Sequence, residues 1–152
     1  RIAAHERGVR LPMLQQSFVL PLDDRAPMRF FEALRRQLRD ERLVPSVIDS
    51  MVVPADDIDL SSTRDMTGMM ITPAVNLFGN QSLERVERVF RALARRCAEL
   101  GGRVHLTKNV LAEPEVIGEM YREGLRRYTD TRAELDPAGV FSSPFLRALA
   151  QS

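Results

Sequence analysis

The sequence predicts an α+β fold: an antiparallel sheet packed against helices on one face, with a further helix and tail at the C-terminus. Three observations carry this. Two long segments, 27–42 and 82–100, repeat apolar residues at spacings of three and four, the helical period. Four shorter segments rich in strand formers lie around them, and Pro and Gly punctuate the boundaries.

Gln16 to Leu22 reads as the first strand, with Phe18 and Leu20 on one face and Pro21 near its end. Pro27 suits the first turn of a helix carrying Phe30, Leu34 and Leu38, whose arginines form a solvated face. Pro45 to Val53 is a second strand, stopped by Pro54. The segment 55–67 carries Asp56, Asp57, Asp59 and Asp65 but lacks the Gly and terminal Glu offsets of a calcium loop, so it reads as solvated and mobile. Gly68 to Phe78 is a third strand in which Pro73 marks a bulge or an edge position, ending at the turn Gly79-Asn80-Gln81.

Ser82 caps a helix bearing Leu83, Val86, Phe90, Leu93, Cys97 and Leu100, terminated by Gly101-Gly102. Val104 and Leu106 form a brief fourth strand. A last helix begins near Pro114, presents Val116, Ile117, Met120, Tyr121 and Leu125, and ends near Asp136-Pro137. The order strand, helix, strand, strand, helix, strand is the split βαβ arrangement of a ferredoxin-like sandwich, with the C-terminal helix and tail outside it.

At 152 residues and 44% hydrophobic, the chain has enough material for one core. Its 22 basic and 21 acidic residues balance, which argues against a nucleic-acid binder or strong attraction to membranes. No stretch approaches a membrane span. The single cysteine, Cys97, falls in an apolar helical register, so a buried structural thiol in a reducing, cytoplasmic setting is expected. Twenty-one of the basic residues are arginine and only Lys108 is lysine. Either one lysine survives by chance in an arginine-biased composition, or a crowded site accepts a compact ammonium and rejects a planar guanidinium.

Other chemistries lack their patterns. The Gly-Gly pair sits behind a helix rather than between a strand and a helix N-terminus, so no phosphate loop is present. His5 and His105 have no metal-ligand spacing, so no metal site is expected, and no serine has a nucleophile-elbow context.

The run Gly101-Gly102-Arg103-Val104-His105-Leu106-Thr107-Lys108-Asn109, then a helix, then Arg132-Ala133-Glu134-Leu135-Asp136-Pro137-Ala138-Gly139-Val140-Phe141, resembles the C-terminal end of FAD-linked oxidases of the vanillyl-alcohol oxidase superfamily. It is most similar to the sugar-lactone and alditol oxidases and to decaprenylphosphoryl-ribose oxidase. The similarity runs from about Met13 to Leu149.

The resemblance implies that FAD is mostly bound by an upstream domain, and that this chain supplies a sheet covering the flavin and shaping the substrate pocket. Residues 1–12 would be a connector from that domain, 13–108 the substrate domain, and 109–152 a helix and tail packing on the FAD domain. It implies a place for Lys108 beside the flavin ring, where a fixed cation would stabilise charge at N1 and the C2 carbonyl. His105 matches a histidine of the alditol oxidases; orienting or deprotonating a substrate hydroxyl and a purely structural role both stay open, because on a continuous strand it would point away from Lys108. Gln15, Ser17 and Thr72 correspond to pocket positions, while a second pocket lysine corresponds to Val52.

The expected function is therefore the substrate-domain part of an oxidoreductase that transfers hydride from a sugar- or polyol-like alcohol to FAD, inactive by itself. The alternative is a stand-alone ferredoxin-like module for small-molecule binding or dimerisation. An exposed flavin-facing surface would also favour self-association as a homo-oligomer.

Overall fold

The computed structural model of the chain describes residues 13–23, 25–77, 81–108 and 110–140. The predicted connector 1–12, most of the turn at 79–81 and the tail from Phe141 onward lie outside the described residues.

The first strand is found in two pieces, β1 (Met13–Gln15) and β2 (Phe18–Pro21), which pair with the same strand, β4 (Gly68–Asn76), in one unbroken register. That register sets the gap at Gln16 opposite Pro73. Ala74 accepts a hydrogen bond from Ser46 on the far side, so the residue before it, Pro73, faces Gln16. Proline has no N–H to give the Gln16 carbonyl, and the ladder parts there.

This corrects the reading of Pro73. It marks neither an edge nor a bulge, since β4 is central and β3 (Val47–Val53) pairs along its other side, also without a slip. A proline is tolerated there because it removes one bond on one side only.

α1 (Ala26–Asp40) places Pro27 in its first turn, where a missing N–H costs nothing. α2 (Leu83–Glu99) is capped as expected: the Ser82 side chain accepts a hydrogen bond from the Arg85 amide at 3.3 Å. β5 (Arg103–Val104) is only two residues long and pairs with β2. α3 (Pro114–Leu135) follows.

The strand order is β3, β4, β1/β2, β5, with every neighbouring pair antiparallel. Each helical crossover thus skips one strand, as the split βαβ reading requires. Alternation sends Phe18, Leu20, Ile71, Val75 and Val104 to one face, against Phe30 and Leu34 of α1 and Val86, Phe90 and Leu93 of α2. Phe18 lies at the centre, 4.9 Å from the Phe30 ring and edge-on to Phe90 at 6.3 Å. Cys97 is fully buried in this core, and burial pushes its thiol well above the ordinary range, so it stays protonated.

The segment between β3 and β4 differs from its expected solvated character. Ser62 and Thr63 are 4% and 2% exposed. The Asp56 carboxylate organises the turn by accepting from the hydroxyls of Ser61, at 2.5 Å, and Thr63, at 2.9 Å. Those bonds, Ser61 first, hold its carboxyl below the usual range. The segment then docks on α3, where Asp59 joins Arg64 and Arg127 and its backbone lies against Gly124. Asp56 among hydroxyl residues folds the strap, because its side-chain oxygens replace ladder partners for the turn, and Asp59 ties it to α3 through Arg127.

Candidate functional site

The sheet face opposite α1 and α2 holds an open cavity of about 490 Å³, a size ordinary for a small-molecule site. Its floor is read off the strand alternation: Gln15 and Ser17 on the first strand, Val47, Asp49 and Met51 on β3, and Met70, Thr72 and Ala74 on β4. Its wall is the turn after β5, with His105, Thr107 and Lys108. All five residues singled out in the sequence, Gln15, Ser17, Thr72, His105 and Lys108, therefore line one cavity.

The register brings the polar floor together. Ser17 pairs across from Thr72, and the Thr72 hydroxyl donates to the Ser17 hydroxyl at 2.7 Å. Ser17 is fully buried, and the Thr72 hydroxyl that meets it is the more open of the pair. On the same row, β3 contributes Asp49.

The turn explains how His105 and Lys108 share a side. The strand stops at Val104, and Leu106 already lies in a turn rather than in the expected longer strand. The His105 amide still donates to the Ser17 carbonyl at 2.9 Å, but alternation ends there and Lys108 swings back to the cavity. Among the described residues Lys108 has no ion-pair partner; it is exposed and lines the cavity.

His105 is engaged at both ring nitrogens. Nδ1 meets the Ser62 hydroxyl at 3.2 Å and Nε2 meets the Thr107 hydroxyl at 2.7 Å. Burial, and then the charge of Lys108, hold its pKa below the ordinary value, so the ring is neutral at pH 7.

One positional expectation is corrected. Val52 does not face the cavity. It shares the helix-side face of β3 with Ile48, while Asp49 and Met51 face the floor. A one-residue step along a strand reverses the face.

Asp49, Met51 and Thr107 were not singled out from sequence. Asp49 was findable only with the β3–β4 register, which places it opposite Thr72.

The donor set suits part of a flavin and not the whole. A lone ammonium and hydroxyl groups can meet the polar edge of an isoalloxazine ring, whereas a diphosphate needs a row of backbone N–H groups. Gly101 and Gly102 supply no such row in this cavity. Gly101, at φ 72°, closes the C-terminus of α2, and Gly102 lies where a Cβ would come within 2.5 Å of the Val19 carbonyl oxygen. Among the described residues no helix is long and apolar enough to cross a membrane.

No curated protein matches the chain. The family model for D-arabinono-1,4-lactone oxidase matches residues 9–149. That match takes in the whole sheet, all three helices and the turn bearing His105 and Lys108, and the chain belongs to the D-arabinono-1,4-lactone oxidase family.

Proposed function

We propose that this chain is the substrate-domain part of an FAD-dependent oxidoreductase acting on a sugar- or polyol-like alcohol. The observation that carries the reading is the convergence of Lys108, Asp49 and the Ser17–Thr72 hydroxyl pair on one cavity in a chain of this family. Apolar Val47, Met51 and Met70 beside these groups suit a ring with one hydrophobic face and one polar edge.

When bound, FAD supplies the hydride acceptor. Lys108 contributes a fixed positive charge where negative charge develops during reduction, an effect worth a few kcal/mol at a preorganised site, roughly 2–4. Asp49 accepts hydrogen bonds from substrate hydroxyls, and Ser17 and Gln15 orient the ring from the floor. His105, neutral at pH 7, receives the proton of the hydroxyl being oxidised.

The test joins the chain to its natural upstream sequence. A yellow protein whose flavin is bleached by polyols or sugar lactones supports the reading, and a colourless one that takes up no FAD refutes it. In the yellow protein Lys108→Met is expected to slow flavin reduction about 100-fold. Flavin reduction at the wild-type rate in that variant removes Lys108 from the role.

A further inference from the structure

The first strand holds the turn of Lys108 twice, from adjacent residues. The Ser17 backbone carbonyl accepts from the His105 amide at 2.9 Å, and the Gln16 side-chain oxygen, Oε1, accepts from the Leu111 amide at 2.6 Å. Lys108 stands three residues from either footing. Gln16 occupies the gap between β1 and β2, opposite Pro73, and is fully buried.

A backbone N–H can only donate, so the Leu111 amide fixes which end of the Gln16 side chain is the oxygen. The other end, Nε2, is buried and meets no acceptor among the described residues. A buried donor left bare costs stability that a leucine in its place would not. Packing alone therefore does not call for glutamine at this position, whereas the bond to Leu111 does.

We infer that Gln16 is a positioning residue: by holding the Leu111 amide it fixes the turn that carries Lys108, and so sets where the ammonium stands on the cavity wall. The other holds on that turn are weaker in kind. Leu106, Val110 and Leu111 pack against the core, but apolar contact is non-directional and lets a segment slide. A hydrogen bond of this length is broken by a shift of about 1 Å. At the opposite end β5 is only two residues long, so the sheet guides the turn no further than His105.

This deepens the proposed function and rests on it for the meaning of where Lys108 stands. A fixed charge lowers a barrier only if it is already in place, and a displacement of about 1 Å can cost up to about 100-fold in rate. Gln16 does not line the cavity, so its effect on the reaction passes through the turn. Asp49 and the Ser17–Thr72 pair stay where the ladder puts them.

The experiment separates the clamp from the chemistry. In the full-length protein, Gln16→Leu should speed amide hydrogen exchange at Leu111 about 10-fold or more, while His105, whose bond goes to the Ser17 backbone, exchanges as in the wild type. Gln16→Met, of similar length and without an acceptor, gives the same reading if a branched side chain is not accommodated. In the FAD-loaded protein Gln16→Leu should slow flavin reduction about 10-fold with KM changed less than twofold. Added to Lys108→Met, the same change should slow reduction by less than about twofold, because the charge it positions is gone. Unchanged exchange at Leu111 overturns the inference, as does flavin reduction at the wild-type rate in Gln16→Leu. A full 10-fold loss on top of Lys108→Met overturns it too, since Gln16 would then act by another route. A protein that takes up no FAD refutes the proposed function, and the exchange at Leu111 then decides the clamp by itself.

Discussion

Adjacent glycines at the end of α2 should respond very differently to the same added methyl group. At Gly102 a Cβ would sit 2.5 Å from the Val19 carbonyl oxygen, 2.7 Å from Cys97 Sγ and 2.9 Å from Leu20 Cδ1. The first is backbone in β2 and the others belong to fully buried residues, so none can step aside. Overpacking of this kind costs roughly 1–3 kcal/mol, and three simultaneous contacts argue for the upper end.

At Gly101 the space is open, with only Pro21 Cγ at 3.8 Å, but φ is 72°. Alanine there meets only the left-handed backbone penalty, roughly 1 kcal/mol. With a urea slope of about 2 kcal/mol per M, Gly102→Ala should lower the unfolding midpoint by about 1.5 M and Gly101→Ala by about 0.5 M. Circular dichroism at 222 nm during urea titration measures both. Equal shifts would refute the reasoning, because they would mean that Gly102 does not press on β2 as closely as the geometry requires.

Three further outcomes are expected. A Cβ at Gly124 would fall on the Asp59 carbonyl oxygen, so Gly124→Ala should detach the strap from α3, at a cost of about 2 kcal/mol, and speed amide exchange over 58–65 while leaving α2 protected. Asp49→Asn in the flavin-loaded protein should raise KM about 10-fold with less effect on the reduction rate, since a hydrogen bond to a charged group is worth roughly 1.5–3 kcal/mol; an unchanged KM would remove Asp49 from substrate contact. The folded-state pKa of His105 is depressed, so above about 6.5 the group is neutral in both states and contributes no pH dependence. Below that, the unfolded chain takes up the proton first and stability falls; urea midpoints between pH 7 and 5 should decline less steeply in His105→Gln.

Most of the secondary structure was legible because its signals are local. Ser82 caps α2, Pro27 opens α1 where no N–H is needed, and Gly101 closes α2, each acting on backbone groups within a few residues. Pro73 misled for the same reason: taken locally, a proline argues for an edge, and only the partners on both sides of β4 show that its bare nitrogen faces one neighbour. The strap misled because its polar composition is also that of a solvated loop, and its docking depends on Gly124, more than sixty residues beyond Ser62.

Lys108 was legible from composition and resemblance, but its sharing a wall with His105 was not, because that depends on β5 ending after two residues. Asp49 stayed hidden because facing is a property of register, and a strand with apolar residues on both sides announces no inward face.

That last property of β3 has a mechanical side. Val47, Ile48, Met51 and Val52 are 53%, 38%, 48% and 58% exposed, so the strand is bare on both faces. It is fastened to the sheet through its ladder with β4, without the interdigitated packing that locks its neighbours. The cavity thus has one side moulded into the core and one side, carrying the Asp49 carboxylate, that is held by the β3–β4 ladder alone. A guest on the β3 side meets exposed Val47 and Met51, where burying apolar surface adds packing that the strand otherwise lacks.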